Sequence, residues 1–306
     1  MAAKGIVIRK GSARRSRGRG GQEQDIPFLY PGKLVHVSFR AVGLATVALI
    51  LIAACSSRGS GPAGAGGSAS TPLTPRQALL ATAAQTQRVT SATEVLTVRD
   101  SGVQSAITTG TVVFRRTPTL EAKENLKVTV AGKSVPIKAI LTDTAIYINE
   151  ASLAKQIGKP WLKLDLSAMN KTPLASFAQL VHSMQSNNFA NLTQLFAAAK
   201  NVRVVGKQTV QGVPTTEYAG TFQTAELRRA LAPSIRKALA PALQALGNST
   251  VTFHIWVDGQ HHSRKMTEVE TINGVTINTT LTITAINQPV DITLPPASQT
   301  FTPPGS

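Results

Sequence analysis

The chain has 306 residues with a formal net charge of +17; 42% are apolar and only 15% charged, which gives enough apolar mass for a folded core and excludes a wholly disordered chain. Aromatic residues make up 5%, and the basic residues are mostly scattered instead of clustering with aromatics, which argues against a nucleic-acid partner. A single cysteine, Cys55, rules out an internal disulfide, so its position decides its role.

Residues 1–54 form a basic N-terminal extension and leader. Lys4, Arg9, Lys10, Arg14, Arg15, Arg17, Arg19, Lys33 and Arg40 stand against Glu23 and Asp25, which places +7 of the formal charge here. Ala41 to Ala54 reads AVGLATVALILIAA, an uncharged run directly after Arg40. It is shorter than the roughly 20 residues of a membrane-spanning helix and has the length and small-residue ending of a signal-peptide core. Arg14-Arg15 lies far upstream for a twin-arginine signal. A later start at Val35 would leave a leader of ordinary length.

The run closes on Ile52-Ala53-Ala54-Cys55, which resembles the lipobox of bacterial lipoproteins. That resemblance implies a diacylglyceryl thioether on Cys55 and cleavage between Ala54 and Cys55. It also implies export and a lipid anchor on the outer face of the plasma membrane, since two or three acyl chains hold a protein stably where one does not. The alternative is a short helix with a buried cysteine. Against it, residues 56–72 are a Gly/Ser/Ala-rich tract that cannot bury a core and reads as a flexible tether about 20–25 Å long.

Residues 73–296 read as one folded domain. A helix is predicted from Pro75 to about Gln87, followed by a first block of strands over 92–149. Leu126, Val128 and Val130 alternate with Lys127 and Thr129, and Ile146 and Ile148 continue the pattern. Thr172 and Pro173 open a helical stripe of Leu174, Phe177, Leu180, Val181 and Met184; Phe189, Leu192, Leu195 and Phe196 form a second. The second strand block spans 201–293. Within it Thr224 opens a helical region carrying Leu227, Leu231, Ile235, Leu239, Leu243 and Leu246, broken by Pro233 and Pro241.

Val251, Phe253, Ile255 and Val257 then alternate with Thr252, His254 and Trp256, which assigns the latter to a wet face. Gln211-Gly212, Asp258-Gly259 and Asn273-Gly274 read as hairpin turns. One-sided alternation argues for antiparallel pairing. The expected fold is α+β, a large curved antiparallel half-barrel sheet of about ten or eleven strands with helices covering its concave face. Residues 297–306 read as a disordered tail.

Lipobox, tether, five strands, a helical insert, then Gly212 to Phe222 (GVPTTEYAGTF), Trp256 to Gln260 (WVDGQ) and Asn287 to Pro296 (NQPVDITLPP) together resemble the LppX/LprA/LprF/LprG family of actinobacterial, mycobacterial-type lipoproteins, and more distantly the LolA and LolB carriers. Each motif is a turn or strand end, and their order is the distinctive part. The resemblance implies a half-barrel roofed by helices around an apolar cavity for the acyl chains of a lipid, glycolipid or lipoglycan, with an envelope transporter as a partner. Candidate wall residues on strands are Val128, Ile140, Ile146, Ile148, Phe222, Phe253 and Ile255. Those on helices are Phe177, Leu180, Phe189, Leu227, Leu231 and Ile235. The alternative is a non-transporting binding, assembly or sensor lipoprotein with a solid core.

No nucleophile elbow, H-E-x-x-H, phosphate loop or dinucleotide fingerprint is present. The adjacent His261 and His262 would point to opposite faces of a strand, which disfavours a metal site. Carboxylates are sparse and read as rarely falling inside the apolar strands. Neither an enzyme nor a cofactor is expected.

Overall fold

The computed structural model describes residues 25–30, 33–38, 73–102, 105–169, 178, 199–230, 233, 236, 240, 247–272 and 274–303; for 25–30, 33–38, 227 and 230 it describes the backbone alone. Near the N-terminus β1 (Asp25–Tyr30) and β2 (Lys33–Ser38) pair as a separate antiparallel hairpin, with Val35 opposite Phe28. The apolar run 41–54, Cys55 and the tether lie outside the described residues. No helix among the described residues is long and apolar enough to cross a membrane.

The domain opens with α1 (Pro75–Thr86), started by Thr74. The Thr74 hydroxyl accepts from Gln77 N at 3.3 Å while the Gln77 side chain accepts from Thr74 N at 2.9 Å, a reciprocal cap that satisfies two otherwise orphaned donors. Strands β3 (Ser91–Asp100), β4 (Ala106–Arg115), β5 (Glu121–Val130), β6 (Lys133–Leu141) and β7 (Ala145–Glu150) follow as an antiparallel meander. Next come α2 (Ala151–Ile157), β8 (Trp161–Asp165) and α3 (Leu166–Met169). Beyond residue 198 lie β9 (Lys200–Val210), β10 (Val213–Gln223), α4 (Thr224–Ala230), β11 (Thr250–Asp258), β12 (Ser263–Ile272), β13 (Val275–Ile286) and β14 (Thr300–Phe301).

Twelve strands form one sheet in the order β14-β8-β7-β6-β5-β4-β3-β13-β12-β11-β10-β9. The chain's two strand blocks meet where β3 pairs with β13, and the sheet stays unclosed, with β9 and β14 as its edges. It is curved, and all pairs are antiparallel except β14 with β8. Two extra strands account for the excess over the expected ten or eleven. β8 lies between the expected blocks, and β14 lies in the segment read as a disordered tail. Residues 297–301 instead make a short 3-10 turn and a strand, because Phe301 packs against the apolar cluster around Leu162 and Leu164.

The expected hairpin at Gln211-Gly212 connects β9 to β10; β12 and β13 pair up to Ile272 opposite Val275, and Asn273 of the other expected turn lies outside the described residues. At the first, Gln211 and Gly212 both adopt positive φ (49° and 79°), the geometry whose twist matches the flanking strands. Asp258-Gly259 differs. Val257 pairs with Ser263 across a longer loop, and the Asp258 carboxylate organises it.

Bulges in β9–β10, in β12 at Arg264 and in β13 at Thr284 supply local twist. Gly110 permits the tightest approach: a Cβ there would sit 2.2 Å from the Asn125 carbonyl oxygen.

Candidate functional site

Side chains alternate out of each strand, so register alone sorts the sheet into an inner and an outer face. One transverse row on the inner face runs Ile283, Glu94, Val112, Glu124, Ala139, Ile148, Leu162. The next runs Tyr218, Ile255, Met266, Leu281, Leu96, Gly110, Leu126, Ile137. A third runs Gly220, Phe253, Glu268, Thr279, Val98, Thr108, Val128. At the β9–β12 wing Leu79 of α1, fully buried, packs against Phe222, Val251, Phe253 and Ile255. At the opposite wing Leu153 of α2, Met169 of α3 and Ala178 pack with Ile146, Leu162 and Leu164. The inner face is therefore largely apolar, interrupted by carboxylates and threonines, and its two wings are covered by helices.

Of the strand residues expected in the wall, Val128, Ile146, Phe222, Phe253 and Ile255 are buried on the inner face, and Ile148 is half-buried there. Ile140 is the exception. It is buried but pairs with Lys123 and Tyr147, which belong to the outer face, so it is no part of that wall. The reason is local: β6 carries apolar residues on both faces, and only pairing to β5 and β7 assigns them. Leu227 lies on α4. Phe177, Leu180, Phe189, Leu231 and Ile235 lie outside the described residues.

Carboxylates do fall inside the apolar strands, contrary to expectation. Glu94, Glu124, Glu268 and Glu270 all sit on the inner face. Glu94 is only 4% exposed. Burial pushes its carboxyl up to about 8, opposed in part by the positive charge of Arg116. Burial likewise pushes Glu124 up to about 7, and Glu268 to about 7 with help from neighbouring Glu270, itself raised by burial. None of the four has a hydrogen-bond or ion-pair partner among the described residues. The signal was present in the sequence: Ala92, Glu94, Leu96 and Val98 share one period-two face, and a carboxylate in that series is necessarily inward.

The outer face of β9–β12 is not simply wet. Glu217, buried, accepts from Gln208 Nε2 at 3.1 Å and from His254 Nδ1 at 2.6 Å. Trp256 Nε1 donates to Gln208 Oε1 at 3.0 Å, and the Lys265 ammonium lies 4.4 Å from the Trp256 ring centroid. Trp256, assigned to solvent by alternation, is covered by these neighbours.

Asp258 anchors the β11–β12 loop. Burial pushes its carboxyl up, but hydrogen bonds from the His262 and Gln260 amides and from the Arg264 guanidinium outweigh that and hold it below its ordinary value. Through His262, 2.9 Å from the Gln85 side chain, this loop is tied to α1. Among the described residues no group of three His, Cys, Asp or Glu is arranged to hold a metal.

The domain is thus sheet-dominated α+β, with one unclosed sheet whose inner face is largely apolar. The family model "LppX_LprAFG lipoprotein" matches residues 74–292, and the chain belongs to that family. Among solved structures, LprF from Mycobacterium bovis is similar at 14% identity and a TM-score of 0.46, covering 72% of this chain and 96% of that one. The lipoprotein LppX of Mycobacterium tuberculosis is similar at 19% identity and a TM-score of 0.43, covering 72% and 98%. An uncharacterized 31.2 kDa protein in the rplA-rplJ intergenic region of Streptomyces griseus is 27% identical over 175 residues, 56% of this chain. The match spans 57% of that relative's length.

Proposed function

We propose that this chain is an exported lipoprotein, anchored on the outer face of the plasma membrane through acylated Cys55, that binds and carries or presents acylated lipids or glycolipids against the inner face of its sheet. The observation that carries the reading is the unclosed sheet whose inner face is apolar over many strands while helices cover its wings. Acyl chains need many dispersed apolar contacts and few directed polar ones. Burial of hydrocarbon at roughly 25 cal/mol per Å² makes such a face a strong lipid sink without a charged site. Anchor and tether fit the same role: a Gly/Ser/Ala-rich stretch of the composition of residues 56–72 would span roughly 20–25 Å, enough to bring the domain to the headgroup layer from which a ligand would be drawn.

Native mass spectrometry of the protein purified from an actinobacterial host tests this reading. It should show a non-covalent lipid adduct beyond the acyl groups on Cys55. A mass explained by the acylated polypeptide alone, in protein from several growth conditions, would reject lipid carriage in favour of a solid-cored envelope protein. Cys55→Ala should move the protein out of the membrane fraction, and unchanged fractionation would refute the anchor.

A further inference from the structure

Four carboxyls on an apolar face are costly unless something uses them, and one pair is placed to act on a single guest. Glu94 on β3 and Glu124 on β5 flank Val112 of β4 in the same transverse row. Their Cα atoms are thus two strand spacings apart, about 10 Å, which two glutamate side chains span comfortably between them. Glu94 is buried, with 4% of its surface exposed and no partner among the described residues; Glu124 on the same face is only half-buried. The rest of the row is hydrocarbon: Ile283 on one side, Ala139 and Ile148 on the other. An acyl chain lying across such a face has no feature to stop it sliding, because dispersion contacts are nearly the same at every methylene.

We propose that Glu94 and Glu124 form a polar recognition spot within this face, donating hydrogen bonds to the ester carbonyl oxygens of an acylated ligand and so fixing its position. This rests on the lipid-binding reading above. A carboxylic acid that keeps its proton offers one O–H donor, and an ester carbonyl offers only acceptors, so the two are complementary where two carboxylates would not be. With the folded carboxyls raised to about 8 and about 7, the donors are present below neutral pH and are lost as pH rises past those values. Arg116, just past the end of β4, is the charged group among the described residues that acts on Glu94; none is resolved as acting on Glu124.

The test offers the mature acylated protein, in detergent micelles, radiolabelled dioleoylglycerol or its dialkyl ether analogue, which lacks the carbonyls. Bound lipid is counted after gel filtration. At pH 6 the ester should be retained about tenfold more than the ether, as expected for two hydrogen bonds of ordinary net strength. The preference should fade between pH 7 and 9. Glu94→Gln with Glu124→Gln keeps an N–H donor at each position and should hold the preference at every pH; Glu94→Leu with Glu124→Leu should abolish it. Equal retention of ester and ether by the wild-type protein, which needs no variant to fold, overturns the proposal. So does a loss in the Gln variant as complete as in the Leu variant, which would point to a cationic guest instead. Retention of neither lipid by any form would overturn the lipid-binding reading itself.

Discussion

Replacing Glu94 with glutamine should stabilise the protein at neutral pH, and by an amount that depends on pH in a defined way. The folded carboxyl titrates at about 8, against 4.5 for its unperturbed value. At pH 7 the unfolded chain carries it ionised, while the folded chain must hold the proton. That difference of two and a half pH units costs about 3 kcal/mol at 1.36 kcal/mol per unit. Because the folded value is raised, the penalty is absent below about pH 4.5 and grows as pH rises. It levels off near 5 kcal/mol above pH 8, where the buried group finally ionises. Glutamine has nearly the same shape and no charge to lose. Urea midpoints of wild-type and Glu94→Gln protein, measured from pH 4 to pH 9, should coincide at the acid end and diverge steadily toward pH 8. Glu124, Glu268 and Glu270 contribute a similar trend to both proteins and cancel in the difference. Parallel curves across the whole range would refute the placement of Glu94 on the inner face.

Gly110→Ala should destabilise the sheet by at least the 1–3 kcal/mol typical of overpacking, since its Cβ would collide with backbone of β5, the Asn125 carbonyl at 2.2 Å and the Leu126 Cα at 2.8 Å. A melting temperature within a degree or two of wild type would contradict that close approach. Leu79→Ala should cost about 2–5 kcal/mol, because Leu79 is the fully buried contact of α1 with Phe222, Phe253 and Ile255. Chemical denaturation measures it, and a loss below 1 kcal/mol would mean that α1 is not seated on the inner face. Thr74→Ala should remove about 1 kcal/mol by opening the reciprocal cap with Gln77, detectable as faster amide exchange in the first turn of α1.

Much of the fold was legible because its strands are one-sided. Val251, Phe253, Ile255 and Val257 share the inner face as their spacing predicts, and Gln211-Gly212 turns where its residue types demand. Legibility failed where period two had no single answer. In β6, Val135, Ile137, Ala139 and Leu141 face inward while Ile140 is buried outward, so only the neighbouring strands resolve the register. Trp161–Asp165 gives a weak strand signal because it is five residues long, although Leu162 and Leu164 do alternate within it. Its preceding helix carried readable signals too: Glu150 caps the start and Gly158, at positive φ, ends it. Phe301 reads as part of a polar Pro-rich tail until the cluster it joins is known. The inward carboxyl of Glu94 is legible, since it stands within the apolar alternation of Ala92, Leu96 and Val98. Trp256 departs from its alternation for a physical reason, as Gln208 and Lys265 fold over an outward ring that alternation alone leaves in solvent.

Photo-crosslinking reads out whether hydrocarbon lies against the inner face of the sheet. An acyl chain bearing a diazirine near its middle, loaded into the protein and irradiated, should insert at inner-face positions such as Val128, Ile148, Phe253 and Met266. Labelling concentrated instead at outer-face positions such as Ile107, Val113 and Tyr147, or spread evenly over both faces, would contradict the account.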